Sequence, residues 1–266
     1  MSDLRLKDII FVPSVQHTGT WFVLGFLKHF IPNVKELTFI LEEGIEQEKL
    51  DVFHKHAYAH PLDQPTVAMI HLPIVRYLNF DVNYPQTHFE RRWYGNMGTM
   101  RSVSIQTILT LCNFFKTVIP VRDPMAAILS RETRHPQFRH FYIVDGFAAL
   151  ATEFAKHPNV KFFPVDMTDD VDIRRKLLVD VLTHCEIDPA PHGSFLDEFA
   201  EKWEPKNATP GNKYAELYRA GDMEQIRLLL GPKWAEIEYL KNMAAIIMPF
   251  LGGLGYPRER IQPLLP

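Results

Sequence analysis

The sequence predicts an α/β fold in which a parallel sheet is flanked by helices, and two observations carry that expectation. Short, predominantly apolar runs recur through the first two thirds of the chain, as strands buried on both faces of a sheet require. Amphipathic helical patterns lie between and after them, and strands alternating with helices imply parallel pairing with crossovers.

The first run, residues 9–12 (IIFV), ends in Pro13-Ser14 and reads as the first strand. Residues 21–30 then place Phe22, Leu24, Phe26, Leu27 and Phe30 on a broad apolar stripe that Pro32 closes, which predicts a helix. Further strands are expected at 67–72 (VAMIHL), 117–121 (TVIPV) and 160–165 (VKFFPV). Helices are expected at 104–115, 124–134, 141–156, 170–185 and 234–250. The apolar stretch 243–254 contains Pro249, Gly252 and Gly253 and is about 12 residues long, too short for a span, so it reads as a core helix and its stop.

The 266 residues show no repeat, no low-complexity tract and no Gly/Ser linker, so a single domain over 1–266 is expected. With 46% hydrophobic and 23% charged residues the composition is that of a folding globular chain. Twenty-nine basic against 32 acidic side chains give a net charge of −3, which excludes a global cationic field for nucleic acid. An anionic ligand must therefore be met locally. Cys112 and Cys185 form no Cys-x-x-Cys pair, so neither a disulfide framework nor a zinc knuckle is expected. Residues 1–7 (MSDLRLK) carry no secretory signal, and the expectation is a cytoplasmic protein without a membrane span.

Three segments carry chemistry. Residues 13–21 (PSVQHTGTW) join the first strand to the first helix, where unsatisfied N–H groups and the helix dipole favour an anion. Gly19 permits close backbone approach, Thr18 and Thr20 offer hydroxyls, and His17 offers a positive charge. The same pattern also fits an ordinary strand-to-helix turn with a Thr cap and a packing Trp. It is not a Walker A loop, because Gly19 is followed by Thr20 and Trp21 rather than by Lys.

In the second segment, Arg122-Asp123-Pro124 follows the third run. Asp123 suits an N-cap and Pro124 a first helical position, so Arg122 falls at the carboxyl edge of a strand. Ser130 lies about two turns along that helix, about 10 Å from the cap on the same face, where Arg122 can bridge to it. A capped helix with a surface Arg and a solvent Ser explains the same residues. In the third, His71 ends the second run in Ile70-His71-Leu72-Pro73; it is a core histidine or, at the ligand edge, a base with an ordinary pKa of about 6.5.

In this order the segments resemble the family of sulfotransferases that use 3′-phosphoadenosine 5′-phosphosulfate (PAPS). That family has a P-loop NTPase-like α/β fold and moves a sulfuryl group to an acceptor hydroxyl or amine, leaving 3′-phosphoadenosine 5′-phosphate (PAP). Its 5′-phosphosulfate loop, P-K-x-G-T-T-W, is similar to residues 13–21, which implies that Gln16, His17, Thr18, Gly19 and Thr20 hold the phosphosulfate and that Trp21 lies near the adenine. Its 3′-phosphate motif, R-[DN]-P with a Ser eight residues after the Arg, matches Arg122-Asp123-Pro124 and Ser130. Its T-H-L-P segment is similar to 70–73 and implies His71 as the catalytic base.

The resemblance covers residues 8–166, with looser support at 234–256, where family members often place an amphipathic helix ending in Leu-Gly-Tyr. It departs in the loop, where His17 stands in place of the family's lysine and Trp21 in place of its second Thr, and at Met69, where many members have a second lysine. A free His is about a quarter protonated at pH 7, so weaker or acid-favoured activity is expected. Lys206, in the 206–211 stretch, is a faint echo of the family's late R-K-G-x-x-G loop.

The function expected from these readings is a sulfotransferase with PAPS as donor, PAP as product and no metal, acting on an unidentified small-molecule or glycan acceptor. An ATP-dependent phosphotransferase of P-loop type and a non-catalytic nucleotide-binding relative are the alternatives. His54, His56 and His60 are a weaker metal-site candidate, since 56 and 60 share a helix face. The Arg-rich stretches 91–94 and 131–139 point either to an anionic or carbohydrate acceptor or to a solvated basic face.

Overall fold

The computed structural model describes residues 9–15, 17–36, 65–71, 105–134, 136, 141–203 and 213–257. Five described strands form one parallel sheet: β1 (Ile9–Ser14), β2 (Asn33–Glu36), β3 (Thr66–His71), β4 (Lys116–Val121) and β5 (Val160–Pro164), in the order β2-β3-β1-β4-β5. The expected α/β class with a parallel sheet is therefore observed, and the four expected strands match β1, β3, β4 and β5 within one residue at their starts and two at their ends. β2 (NVKE) is an addition. It is short, three of its four residues are polar, and it pairs, among the described strands, only with β3, so its sequence lacks the apolar continuity of a strand buried on both faces.

β1 is buried along its whole length because it sits between β3 and β4 with helices above and below. Its alternate residues serve opposite faces: Ile9 and Phe11 join one core cluster, Ile10 and Val12 the other. One face is covered by α1 (Thr20–Leu27), α5 (Val171–His184) and α6 (Gly193–Glu201), through Val23, Leu24, Leu178 and Leu196. The other is covered by α2 (Ile105–Phe114), α3 (Pro124–Arg134), α4 (Phe141–Ala149), α8 (Met223–Leu230), α9 (Trp234–Asn242) and α10 (Ala244–Gly253), through residues such as Leu111, Ile128, Phe147 and Ile247. The short α7 (Lys213–Arg219) leans on this second cluster through Tyr214, Leu217 and Tyr218.

This arrangement creates a crevice. The chain leaves β1 through α1 on one face toward β2, whereas it leaves β4 through α3 and α4 on the opposite face toward β5. Parallel crossovers are right-handed, so helices leading in opposite directions lie on opposite faces, and the strands between them, β1 and β4, open a crevice at their carboxyl ends.

Helix boundaries follow local chemistry. α1 ends at Leu27, three residues earlier than expected, because the chain tightens: His29 N–H donates to the Phe26 carbonyl and Phe30 N–H to that of Leu27. α4 runs into a π-helical turn at Leu150–Phe154, still within the stretch expected to be helical. α5 is capped by Asp170, whose carboxylate accepts from Asp172 N at 2.9 Å and Ile173 N at 3.1 Å. The single helix expected over 234–250 is two, divided at Met243. Three further helices, α6, α7 and α8, have seven to nine residues each, too short for their apolar period to stand out. Among the described residues no helix is long and apolar enough to cross a membrane.

Candidate functional site

The parallel register brings the three sequence segments to one edge. Ser14, the last residue of β1, pairs with His71, the last residue of β3. Continuing the pairing of Ile10 with Lys116 and Phe11 with Thr117 sets Ser14 level with Pro120, so Arg122 emerges just beyond it. With strands about 4.8 Å apart, the carboxyl ends of β3, β1 and β4 span about 10 Å. His71 is described as a backbone position only; Gln16 and Lys206 lie outside the described residues, as do His54, His56, His60 and residues 91–94.

The loop after β1 is wound tightly. His17 has φ 64° and Gly19 φ 97°, both left-handed. At Gly19 this conformation coincides with close packing, since a Cβ there would meet Val165 Cγ1 at 3.0 Å and Cγ2 at 3.1 Å. Helical bonding in α1 starts with Phe22 and Val23, whose N–H groups donate to the Gly19 carbonyl at 3.0 and 3.2 Å. Thr20 and Trp21 form the start of α1, directly after the left-handed Gly19.

The two threonines behave differently from free donors. Thr18 Oγ1 donates to the Val15 carbonyl at 2.6 Å, and Thr20 Oγ1 donates to Ser14 Oγ at 2.7 Å; both side chains are buried. Their protons brace the loop. Trp21 is 64% exposed at the start of α1, a planar surface at the rim of the edge.

Arg122 and Asp123 enter a network that the sequence did not reveal. Asp166, the second residue after β5, accepts from Arg122 Nε at 3.4 Å, from the Asp123 backbone N–H at 3.1 Å and from Tyr256 Oη at 2.8 Å. Arg122 is 14% exposed in its side chain, and its Nη1 is buried with no hydrogen-bond partner among the described residues. Part of the guanidinium's donor capacity is thus unspent.

Asp123 caps α3 as expected, accepting from Met125 N at 2.8 Å and Ala126 N at 3.4 Å, while Tyr218 of α7 donates to its other oxygen at 2.5 Å. Burial, and then the charge of Asp166, push its carboxyl from 3.8 up to about 6, against the lowering effect of these hydrogen bonds. The Tyr256 hydroxyl is held well above its usual range, first by burial and then by the Asp166 charge.

Asp166 was legible in one respect: it is the first charge beyond an expected strand, at the edge where ligands of such sheets bind. Tyr256 closes the Leu254-Gly255-Tyr256 stretch, and Gly255, at φ 91°, makes the turn that delivers it. Tyr218 had no signal, since α7 is seven residues long.

On α3, Ser130 is buried rather than facing solvent. Arg131 departs furthest from the reading of 131–139 as a solvated or acceptor-binding basic stretch, because it is fully buried. Its neighbour Glu132 is nearly buried and gripped by Lys233, whose Nζ donates to both carboxylate oxygens at 2.8 and 2.7 Å and to the Pro136 carbonyl. At the other end of the site edge, Trp203 Nε1 donates to the Val165 carbonyl at 2.7 Å, and the Arg174 guanidinium lies 5.6 Å above the Trp203 ring.

Neither cysteine is a nucleophile candidate: burial raises Cys112 to about 11 and Cys185 to about 12. Together the described groups offer an anion a helix start and a partly unspent guanidinium, flanked by two interacting carboxylates. No family model, curated protein or solved structure matches the chain.

Proposed function

We propose that the chain is a sulfotransferase that binds a 3′-phosphoadenosine nucleotide along the carboxyl ends of β3, β1 and β4. The observation that carries this reading is the convergence of residues 13–21, His71 and Arg122, read separately in the sequence, on three adjacent strand ends at the β1/β4 crevice. The N–H groups at the start of α1, with His17, would hold the 5′-phosphosulfate, and Arg122 through Nη1, with Ser130, the 3′-phosphate. When bound, PAPS supplies the sulfuryl group, whose bond to the bridging phosphate oxygen breaks as its bond to the acceptor oxygen or nitrogen forms. His71 takes the acceptor's proton, and the α1 start with His17 steadies the charge left on the phosphate.

A second reading, nucleotide binding without transfer, is favoured by one observation: the Thr18 and Thr20 hydroxyl protons are spent inside the loop, and no lysine stands at position 17. Transfer of labelled sulfuryl from PAPS to a panel of hydroxyl and amine acceptors separates the two. The sulfotransferase reading expects turnover that His71→Ala lowers by about 10²-fold or more while donor affinity stays within about twofold. Donor binding without turnover on the panel, persisting after His17→Lys, establishes the second reading instead.

A further inference from the structure

The charges around Arg122 do not balance for an anion. One guanidinium is flanked by two carboxylates: Asp166 pairs with Arg122 Nε, and Asp123, the next residue in the chain, is bonded through its N–H to Asp166. With both carboxylates ionised, the three residues sum to one negative charge, and a phosphate reaching Nη1 meets that field at close quarters.

We infer that an anionic group binding at Arg122 takes up a proton on the Asp123–Asp166 pair, so that the site is neutral when it is filled. This rests on the nucleotide-binding reading above and adds to it the means by which that site is regulated. The geometry favours Asp123 as the residue that takes the proton. It is almost completely buried, whereas Asp166 keeps the direct ion pair with Arg122. α7, which packs on α3, carries Lys213, Glu216 and Arg219. Tyr218 faces Asp123 from α7, Tyr256 lies nearby from the turn after α10, and Asp166 approaches from the segment after β5. α4, which also packs on α3, carries one charge, Asp145, bonded to Tyr239, and α10 carries none.

Asp123 already stands poised near pH 6, and a dianion beside it raises its proton affinity further. The proton then moves from buffer to an Asp123 carboxylate oxygen as the anion arrives, and returns when the anion leaves. Affinity accordingly falls as pH rises above about 6, by as much as about tenfold per pH unit until the pKa of the filled site is reached.

The test is calorimetric titration of adenosine 3′,5′-bisphosphate in two buffers of different ionisation heat, between pH 5.5 and 8, on wild type and Asp123→Asn. Asn keeps an N-cap oxygen and fixes the uncharged state. Comparing the two proteins cancels the ligand's own ionisation. The expected result at pH 7 is an uptake close to one proton greater in wild type, with a shallower pH dependence and tighter binding at pH 8 in the variant. Equal proton counts and parallel pH profiles overturn the inference while leaving the nucleotide reading standing. No binding in either protein at any pH overturns both. If the variant fails to fold, sulfate, a dianion throughout this range, decides the matter on His17→Gln, which keeps Arg122, Asp123 and Asp166 and removes the imidazole that the reading above also places on the anion. Tighter binding at pH 5.5 than at pH 8.0 is expected, and equal dissociation constants overturn the inference.

Discussion

Gly19→Ala tests the packing that shapes the loop after β1. Two costs add at that position. The backbone is left-handed at φ 97°, which burdens an L-residue with about 1 to 2 kcal/mol. The new methyl would also sit 3.0 and 3.1 Å from the two Val165 methyls, in a side chain with no exposed surface, and overpacking of that kind costs about 1 to 3 kcal/mol. The sum, about 2 to 5 kcal/mol, is a large fraction of the stability of an ordinary domain. Urea unfolding followed by circular dichroism measures it, with the slope checked for constancy. A double-mutant cycle separates the two contributions. Val165→Ala alone leaves a cavity, but it removes both clashing methyls, so Gly19→Ala should cost only the backbone part, about 1 to 2 kcal/mol, in that background. Additivity within about 0.5 kcal/mol would refute the claim that Val165 confines the loop.

Two further expectations concern the rest of the edge. A buried acid whose folded pKa is raised keeps its proton in the native state after the unfolded chain has lost it. Asp123 therefore makes the protein lose stability as pH rises from about 4 to about 6, by about 3 kcal/mol for a shift from 3.8 to about 6. Asp123→Asn should flatten that part of the stability profile measured by urea unfolding, and an unchanged profile would show that the group does not titrate there. For His71→Ala, stopped-assay kinetics should show lost transfer with donor affinity retained; a variant at full rate would remove His71 from the role of base.

How far the fold was legible follows from burial. β1, β3, β4 and β5 announced themselves as apolar runs because parallel strands under helices are covered on both faces, β5 included, whose Phe162 and Phe163 enter opposite clusters at the sheet edge, whereas β2, with Asn33, Lys35 and Glu36 in four residues, resembles a loop. The sequence implied parallel pairing but not that β3 inserts between β2 and β1, and it is this order that makes His71 a neighbour of Ser14. Asp123 and Pro124 were readable because capping is local chemistry. The burial of Arg131 was not legible, because a guanidinium within a basic stretch ordinarily faces water and here sits on the inward face of α3. The links from Asp166 to Arg122 and Tyr256 join residues 44 and 90 positions apart, and no local pattern encodes contacts at such separations.

The decisive measurement is a thermal-shift titration of wild type and Arg122→Ala with adenosine 3′,5′-bisphosphate, ATP and AMP. A ligand at about 100 times its dissociation constant adds about 2.7 kcal/mol to the native state, a readily visible rise in Tm. Binding of the 3′-phosphate through Arg122 predicts stabilisation of wild type by the bisphosphate above the other two nucleotides, and loss of that stabilisation in Arg122→Ala. Stabilisation by ATP in preference to the bisphosphate, or an equal response of the two proteins, would contradict it.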